Sequence, residues 1–131
     1  MRKKCLKLLT VLILGMSIAA PSVWADKTAY GYVISYSYRD KVAYHSQIFE
    51  NRIEGRNYNS EEYVIETQDL LKLESAFQKQ IASTYRLNPM NLTTSARAAF
   101  KTLAIAKEKL DQESRDFMFK GLKIKEVLFN P

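Results

Sequence analysis

The residues from 30 to 38 constrain the fold of this chain more than any other stretch of the sequence. Tyr30, Tyr32, Ile34, Tyr36 and Tyr38 alternate with Gly31, Val33, Ser35 and Ser37. A period of two places alternate side chains on opposite faces of a β-strand, and aromatic and β-branched residues suit such a pleated surface. A second run of this kind, residues 42–51, follows the polar Arg39-Asp40-Lys41. Residues 30–51 therefore predict a β-hairpin.

The register of this hairpin decides which side chains share a face. A three-residue loop at Arg39-Asp40-Lys41 would place Tyr36 opposite Tyr44 and Ile34 opposite Ser46, so that one face is almost entirely Tyr, Ile and Val. A two-residue loop would instead mix the tyrosines with Gln47 and His45. The segregated faces favour the first register, although the loop lacks the glycine that such turns prefer.

The first 25 residues have the pattern of a cleavable Sec-type signal peptide. The basic residues Arg2, Lys3, Lys4 and Lys7 precede an apolar run from Leu8 to Ala20, and Val23-Trp24-Ala25 ends in a small residue. The apolar run is shorter than the roughly 20 residues needed to cross a bilayer as a helix. We therefore predict cleavage between Ala25 and Asp26, with residues 26–131 as a single small domain.

The net charge of +6 comes largely from this leader, because four of the 20 basic residues lie in it and all 14 acidic residues follow it. The mature chain would have a net charge of +2, which does not indicate nucleic-acid binding. Its one local basic cluster, Lys120, Lys123 and Lys125, is typical of a solvated strand face. The single cysteine, Cys5, lies in the leader. The mature chain thus has no disulfide or thiolate chemistry, and export without disulfides favours a bacterial periplasmic or secreted protein.

Two helices and a final strand follow the hairpin. Leu70, Leu73, Phe77, Ile81 and Tyr85 lie on one helical stripe, which predicts a helix over residues 68–85 with Thr67 as its N-cap. Ala96, Ala99, Phe100, Leu103, Ala106 and Leu110 form a second stripe, which predicts a helix that begins near Thr93 or Thr94 and ends before Gly121. Residues 62–66 suit a short strand, although Ser60 could also cap a helix. Residues 122–129 alternate again and predict a strand that pairs with the hairpin.

These elements predict an α+β fold. We expect a small antiparallel sheet, made of the N-terminal hairpin and the C-terminal strand with room for a short fourth strand, covered on its tyrosine face by both helices.

Few residues carry recognisable chemistry. His45 is the only histidine, and the three glycines after the leader are isolated, so no metal motif or phosphate-binding loop is formed and no cofactor is predicted. The acid pairs Glu61/Glu62 and Glu108/Asp111 could serve a glycosidase but are typical of helix caps and solvated faces. We therefore predict a protein that is not an enzyme.

Binding has two candidate locations. The sheet face opposite the helices would carry Val33, His45, Gln47 and Phe49, and an exposed strand edge could accept a partner strand or a second copy. The sequence favours an exported protein that binds another macromolecule of the cell envelope, as an inhibitor, adaptor or assembly accessory. The alternative is a binder of a small ligand or cell-wall glycan, or a carboxylate-dependent hydrolase.

Overall fold

The computed structural model describes residues 26–131; the leader, including Ala25 of the predicted cleavage site, lies outside the described residues. These described residues form five strands and two α-helices. In order they are β1 (Asp26–Ser37), β2 (Val42–Ser46), β3 (Phe49–Glu54), α1 (Thr67–Tyr85), a 3-10 turn (Pro89–Asn91), β4 (Thr93–Phe100), α2 (Leu103–Phe119) and β5 (Lys123–Val127). The predicted α+β class, the N-terminal hairpin and the C-terminal strand are confirmed.

The sheet is organised around the long strand β1. β4 runs antiparallel along one side of β1, and β2 and β3 follow each other antiparallel along the other. β5 pairs with β2 at the far edge and runs parallel to it. The sheet is therefore mixed, and the prediction of a wholly antiparallel sheet was wrong, because α2 carries the chain across the sheet before β5 begins.

The hairpin register differs by one residue from the register that we favoured. Ile34 pairs with His45 and Tyr36 with Ala43, which is the register expected for the two-residue loop. The last pair is Ser37 with Val42, so the turn itself consists of four residues, 38–41. The Oγ of Ser37 accepts a hydrogen bond from the backbone N–H of Asp40 at 3.1 Å, and Lys41 adopts a left-handed conformation with φ of 55°. A serine cap and a left-handed lysine thus close the turn without a glycine.

The two helices lie on opposite faces of the sheet. Phe77 and Ile81 of α1 pack with Val33 and Phe49, whereas α2 packs its own stripe on Tyr32 and Ile34 of the other face. The prediction that both helices cover one face was wrong. Because β1 presents large apolar side chains in both directions, each face requires a covering helix, and the domain has three layers.

The second predicted helix is divided between a strand and a helix. Residues 93–100, T-T-S-A-R-A-A-F, form β4, with Ala96, Ala98 and Phe100 buried. The helix begins only at Leu103, where the Oγ1 of Thr102 accepts a hydrogen bond from the N–H of Ile105 at 3.1 Å. It ends at Phe119, before Gly121 as predicted, and Gly121 has a φ of 87°. The residues predicted as a short strand, 62–66, contribute only isolated bridges, from Glu62 to Phe100 and from Tyr63 to Asn57.

Two close contacts fix the centre of the sheet and its C-terminal end. Gly31 lies opposite an irregularity in β4, so that a Cβ at Gly31 would be 2.3 Å from both the Cα of Ala98 and the carbonyl oxygen of Arg97. At the other end, the buried ring of Phe129 lies with its centroid 5.1 Å from that of Phe77 and 6.1 Å from that of Phe49. The residues after β5 thus complete the core beneath α1.

Candidate functional site

Exposed aromatic and sulfur-containing side chains gather where the turn between β1 and β2 meets the end of α2. Phe119 is 96% exposed, and Met118 and Tyr38 are each 54% exposed. We call the surface formed by residues 38–41 and 116–123 the aromatic tip. A side chain as large as phenylalanine that is almost entirely in water is unusual when other apolar residues adjoin it, and such patches mark interaction sites.

Local backbone geometry builds this tip. The N–H of Leu122 donates to the carbonyl of Phe117 at 3.0 Å and the N–H of Gly121 to that of Met118 at 2.9 Å, the pair of bonds that ends a helix at a left-handed glycine. Successive helical residues are about 100° apart, so Phe117 turns inward while Met118 and Phe119 face water. The N–H of Lys123 then donates to the carbonyl of Lys41 at 2.9 Å, which ties the two segments together.

Aromatic packing supports the tip from below. The ring of Tyr36 contacts that of Phe117 with centroids 4.7 Å apart and that of Tyr38 with centroids 5.4 Å apart. Tyr36 and Phe117 are half-buried and pack against the core beneath α2. The exposed residues of the tip are therefore supported by packed aromatic side chains.

The tip is also basic. Four exposed cations lie within its two segments, against two exposed carboxylates: Arg39, Lys41, Lys120 and Lys123, with Asp40 and Asp116. The Ser37 hydroxyl donates to the Asp40 carboxylate at 3.1 Å, so this acid is engaged within the turn. The Nζ of Lys120 lies 5.9 Å from the centroid of the Phe117 ring. Positive charge and apolar surface thus occupy the same end of the molecule.

The four residues predicted to form a binding face do not form one. Val33 and Phe49 are buried in the core beneath α1, so the exposed face expected for them was wrong. The side-chain amide of Gln47 donates to the carbonyl of Phe129 and accepts from its N–H at 2.8 Å, which replaces a strand pairing where β2 gives way to β3. The Nδ1 of half-buried His45 lies 2.7 Å from the carbonyl oxygen of Ser46. Binding by His45 or Gln47 stays a prediction.

The predicted hairpin edges are occupied in part. β1 lies between β4 and the β2–β3 segment, and β2 lies between β1 and β5. Among the described strands β3 pairs with β1 only, so self-association through the hairpin edge stays a prediction. Among the described residues β5 pairs on one side only, and its exposed Lys123 and Lys125 are the kind of residue that protects an edge strand from pairing.

The first predicted acid pair belongs to a cluster of ion pairs that joins β4, α2 and the loop between β3 and α1. The guanidinium of Arg97 lies 2.6 Å from the Glu62 carboxylate and 3.4 Å from that of Glu113, and Lys109 lies 3.6 Å from Glu61. Burial lowers the pKa of Arg97, but the hydrogen bond that Arg97 donates to the Glu62 carboxylate and the charges around it outweigh burial and raise the pKa. Both carboxylates of the predicted pair are thus paired with basic side chains, and these ion pairs connect separate elements of the fold.

Tyr32 lies beneath these ion pairs. Its ring is fully buried and stacks on that of Phe100. Burial, followed by the negative charge of Glu113, raises the pKa of the Tyr32 phenol well above its usual value. A phenol held in its neutral form at physiological pH is a poor base or nucleophile.

Both residues of the second predicted acid pair, Glu108 and Asp111, lie exposed on α2. Asp111 also lines a shallow cleft of about 420 Å³ together with Glu126 of the segment beyond α2. The cleft is completed by Ile48, Leu103, Lys107 and Leu110. Sequence reasoning did not bring Asp111 and Glu126 together, because their proximity depends on how α2 crosses the sheet.

The aromatic tip was also missed by sequence reasoning. Tyr38 was placed on the core face by its alternation with Tyr36, and the turn instead begins at this residue. A signal for the tip was present in F-M-F at residues 117–119, since a helix with one apolar stripe can bury only one of three consecutive apolar residues.

Comparison with protein-family models, with curated proteins and with solved structures found no match for this chain. Within residues 26–131, neither helix combines the length and the apolar character needed to span a membrane. The same residues include no group of three or more His, Asp or Glu side chains arranged to hold a metal ion.

Proposed function

We propose that this chain is an exported, non-enzymatic protein that binds another macromolecule of the cell envelope, as an inhibitor, adaptor or assembly accessory, and that it does so through the aromatic tip. The exposure of Phe119 and Met118 at the end of α2, next to the turn that carries the exposed Tyr38, carries the proposal. Aromatic residues and methionine are enriched at the centres of interfaces, where they bury a large contact area.

Two further observations support it. The residues of the tip are held by backbone hydrogen bonds and by the Tyr36–Phe117 contact, so little order has to be gained on binding. Glu61 and Glu62, the acid pair considered for glycoside hydrolysis, form ion pairs with Lys109 and Arg97, so their charges serve the fold.

Site-specific photocrosslinking tests the proposal. A benzoyl-phenylalanine placed at position 119 should form adducts with an envelope component in living cells, whereas the same residue at position 90 should not. Met90 is a matched control because it is 89% exposed and belongs to the 3-10 turn before β4, not to the tip. Equal adducts from both positions, or none from position 119, would show that the tip is not a binding surface.

The alternative, a binder or hydrolase of cell-wall glycan, is supported by the cleft that holds both Asp111 and Glu126. Two carboxylates about 5–10 Å apart are what glycoside hydrolysis requires. Sedimentation of the protein with purified peptidoglycan distinguishes the two functions, since D111N/E126Q should abolish glycan binding and F119S should not. If both variants sediment like the wild type, the cleft has no such role.

A further inference from the structure

We infer that the partner of the aromatic tip is the surface of an anionic lipid bilayer. This inference rests on the part of the proposed function that assigns binding to the tip, and it makes the envelope component that the tip binds a lipid assembly instead of a single macromolecule.

The shape of the tip favours a deformable, extended surface over a protein segment. Phe119 is almost fully exposed because it projects from the end of α2, and Tyr38 projects from the neighbouring turn. A partner helix or peptide would bind in a groove, where apolar side chains are only partly exposed. Projecting aromatic side chains are suited to insertion between lipid headgroups.

The chemistry of the projecting residues matches the depth profile of a bilayer surface. Tyrosine combines an apolar ring with a polar hydroxyl and is enriched where the hydrocarbon meets the headgroups. Phe119 and Met118 would insert below this level. The long side chains of Lys120 and Lys123 can extend along the same surface while their ammonium groups reach the phosphates.

The charge of the tip gives the preferred sign of the lipid. Arg39, Lys41, Lys120 and Lys123 outnumber the two carboxylates of the same segments, and Asp40 is engaged by Ser37. Each cation close to an anionic leaflet strengthens binding by about fivefold. Binding should therefore require anionic lipid, and it should weaken as salt screens these charges.

Vesicle sedimentation tests the inference with the processed chain. A protein that begins at Asp26 is used, because this is the product of the predicted cleavage and because the apolar leader would itself bind lipid. The probes are vesicles of phosphatidylcholine alone and of phosphatidylcholine mixed with phosphatidylglycerol.

The wild type should sediment with the mixed vesicles and not with phosphatidylcholine alone. R39Q/K120Q should weaken binding by about 25-fold, the product of two cations at about fivefold each. F119S should reduce it by at least about tenfold, and F119L should retain most of it, since the apolar area buried in the lipid is what matters. M90S is the control and should bind like the wild type, and the thermal transitions of all variants should coincide because the substituted residues are exposed.

Equal binding to both vesicle types, or F119S that binds like the wild type, would overturn the inference. Protein adducts at position 119 without vesicle binding would overturn the lipid partner and keep the proposed function. The absence of both adducts and vesicle binding would overturn both.

Discussion

Gly31 is the residue at which two strands approach most closely. A side chain there would have to enter the space occupied by the backbone of Arg97 and Ala98, 2.3 Å away, and backbone can move less than a side chain. Glycine is therefore required at this position for space, whereas Gly121 is favoured for its positive φ.

We expect G31A to lower the free energy of unfolding by at least about 3 kcal/mol, the upper range of overpacking in a sheet interior. The matched variant G121A should cost only about 1–2 kcal/mol, because a Cβ at Gly121 meets open space and only the left-handed conformation is penalised. Chemical denaturation of both variants measures these values. A loss in G31A no larger than that in G121A would contradict the close approach of β1 and β4.

Tyr32 makes the stability depend on alkaline pH. Its pKa is raised in the folded state, chiefly by burial, so the folded protein keeps a proton that the unfolded chain releases near pH 10. The folded state therefore holds more protons than the unfolded state above this pH, and the free energy of unfolding must fall as the pH rises.

We expect the wild type to lose stability more steeply than Y32F between about pH 9 and pH 11, because phenylalanine has no proton to release. Tyr44, whose pKa is also raised by burial, is present in both proteins and contributes equally. Denaturant titrations at several pH values compare the two slopes. Parallel slopes would mean that the Tyr32 hydroxyl is reached by water.

At the scale of elements, alternation and helical periodicity predicted α1 almost to the residue and identified the hairpin and β5. They failed at residues 93–100, because alanines at 96, 98 and 99 satisfy a strand as well as a helix. The decisive information was the close approach of β1 and β4 at Gly31, which cannot be predicted from the sequence of β4 alone. The candidate site could not be predicted for a similar reason, since it joins a turn and a helix end that are about 80 residues apart.

The boundary between β4 and α2 leads to a prediction about Thr102. Its hydroxyl accepts a hydrogen bond from the N–H of Ile105, so T102A should lower the free energy of unfolding by about 1 kcal/mol, while T102S should be nearly neutral.

Leu103 was assigned to the core by periodicity, but it is 42% exposed at the first position of α2. L103D should therefore be tolerated, whereas I34D should unfold the protein. Thermal unfolding of the four variants checks this order. An L103D as damaging as I34D would place the start of the helix elsewhere.

For the whole molecule, the central prediction concerns export. Expression of the full chain in a bacterial host should yield an envelope protein whose mass corresponds to residues 26–131, because signal peptidase requires a small residue at position 25. A25W should keep the leader and accumulate at full length. A wild-type protein recovered from the cytoplasm with its leader intact would contradict the assignment.

The ring of Phe129, which lies between Phe49 and Phe77, has a consequence for the order of folding. Neither the hairpin nor α1 can complete its core packing until Phe129 is synthesised, 80 residues after Phe49 and 52 residues after Phe77. A chain whose core contacts join residues so distant in sequence folds slowly, and an early collapse without these contacts gives it little stability. On the proposed export route, slow folding would keep the polypeptide unfolded while a translocase moves it across the membrane.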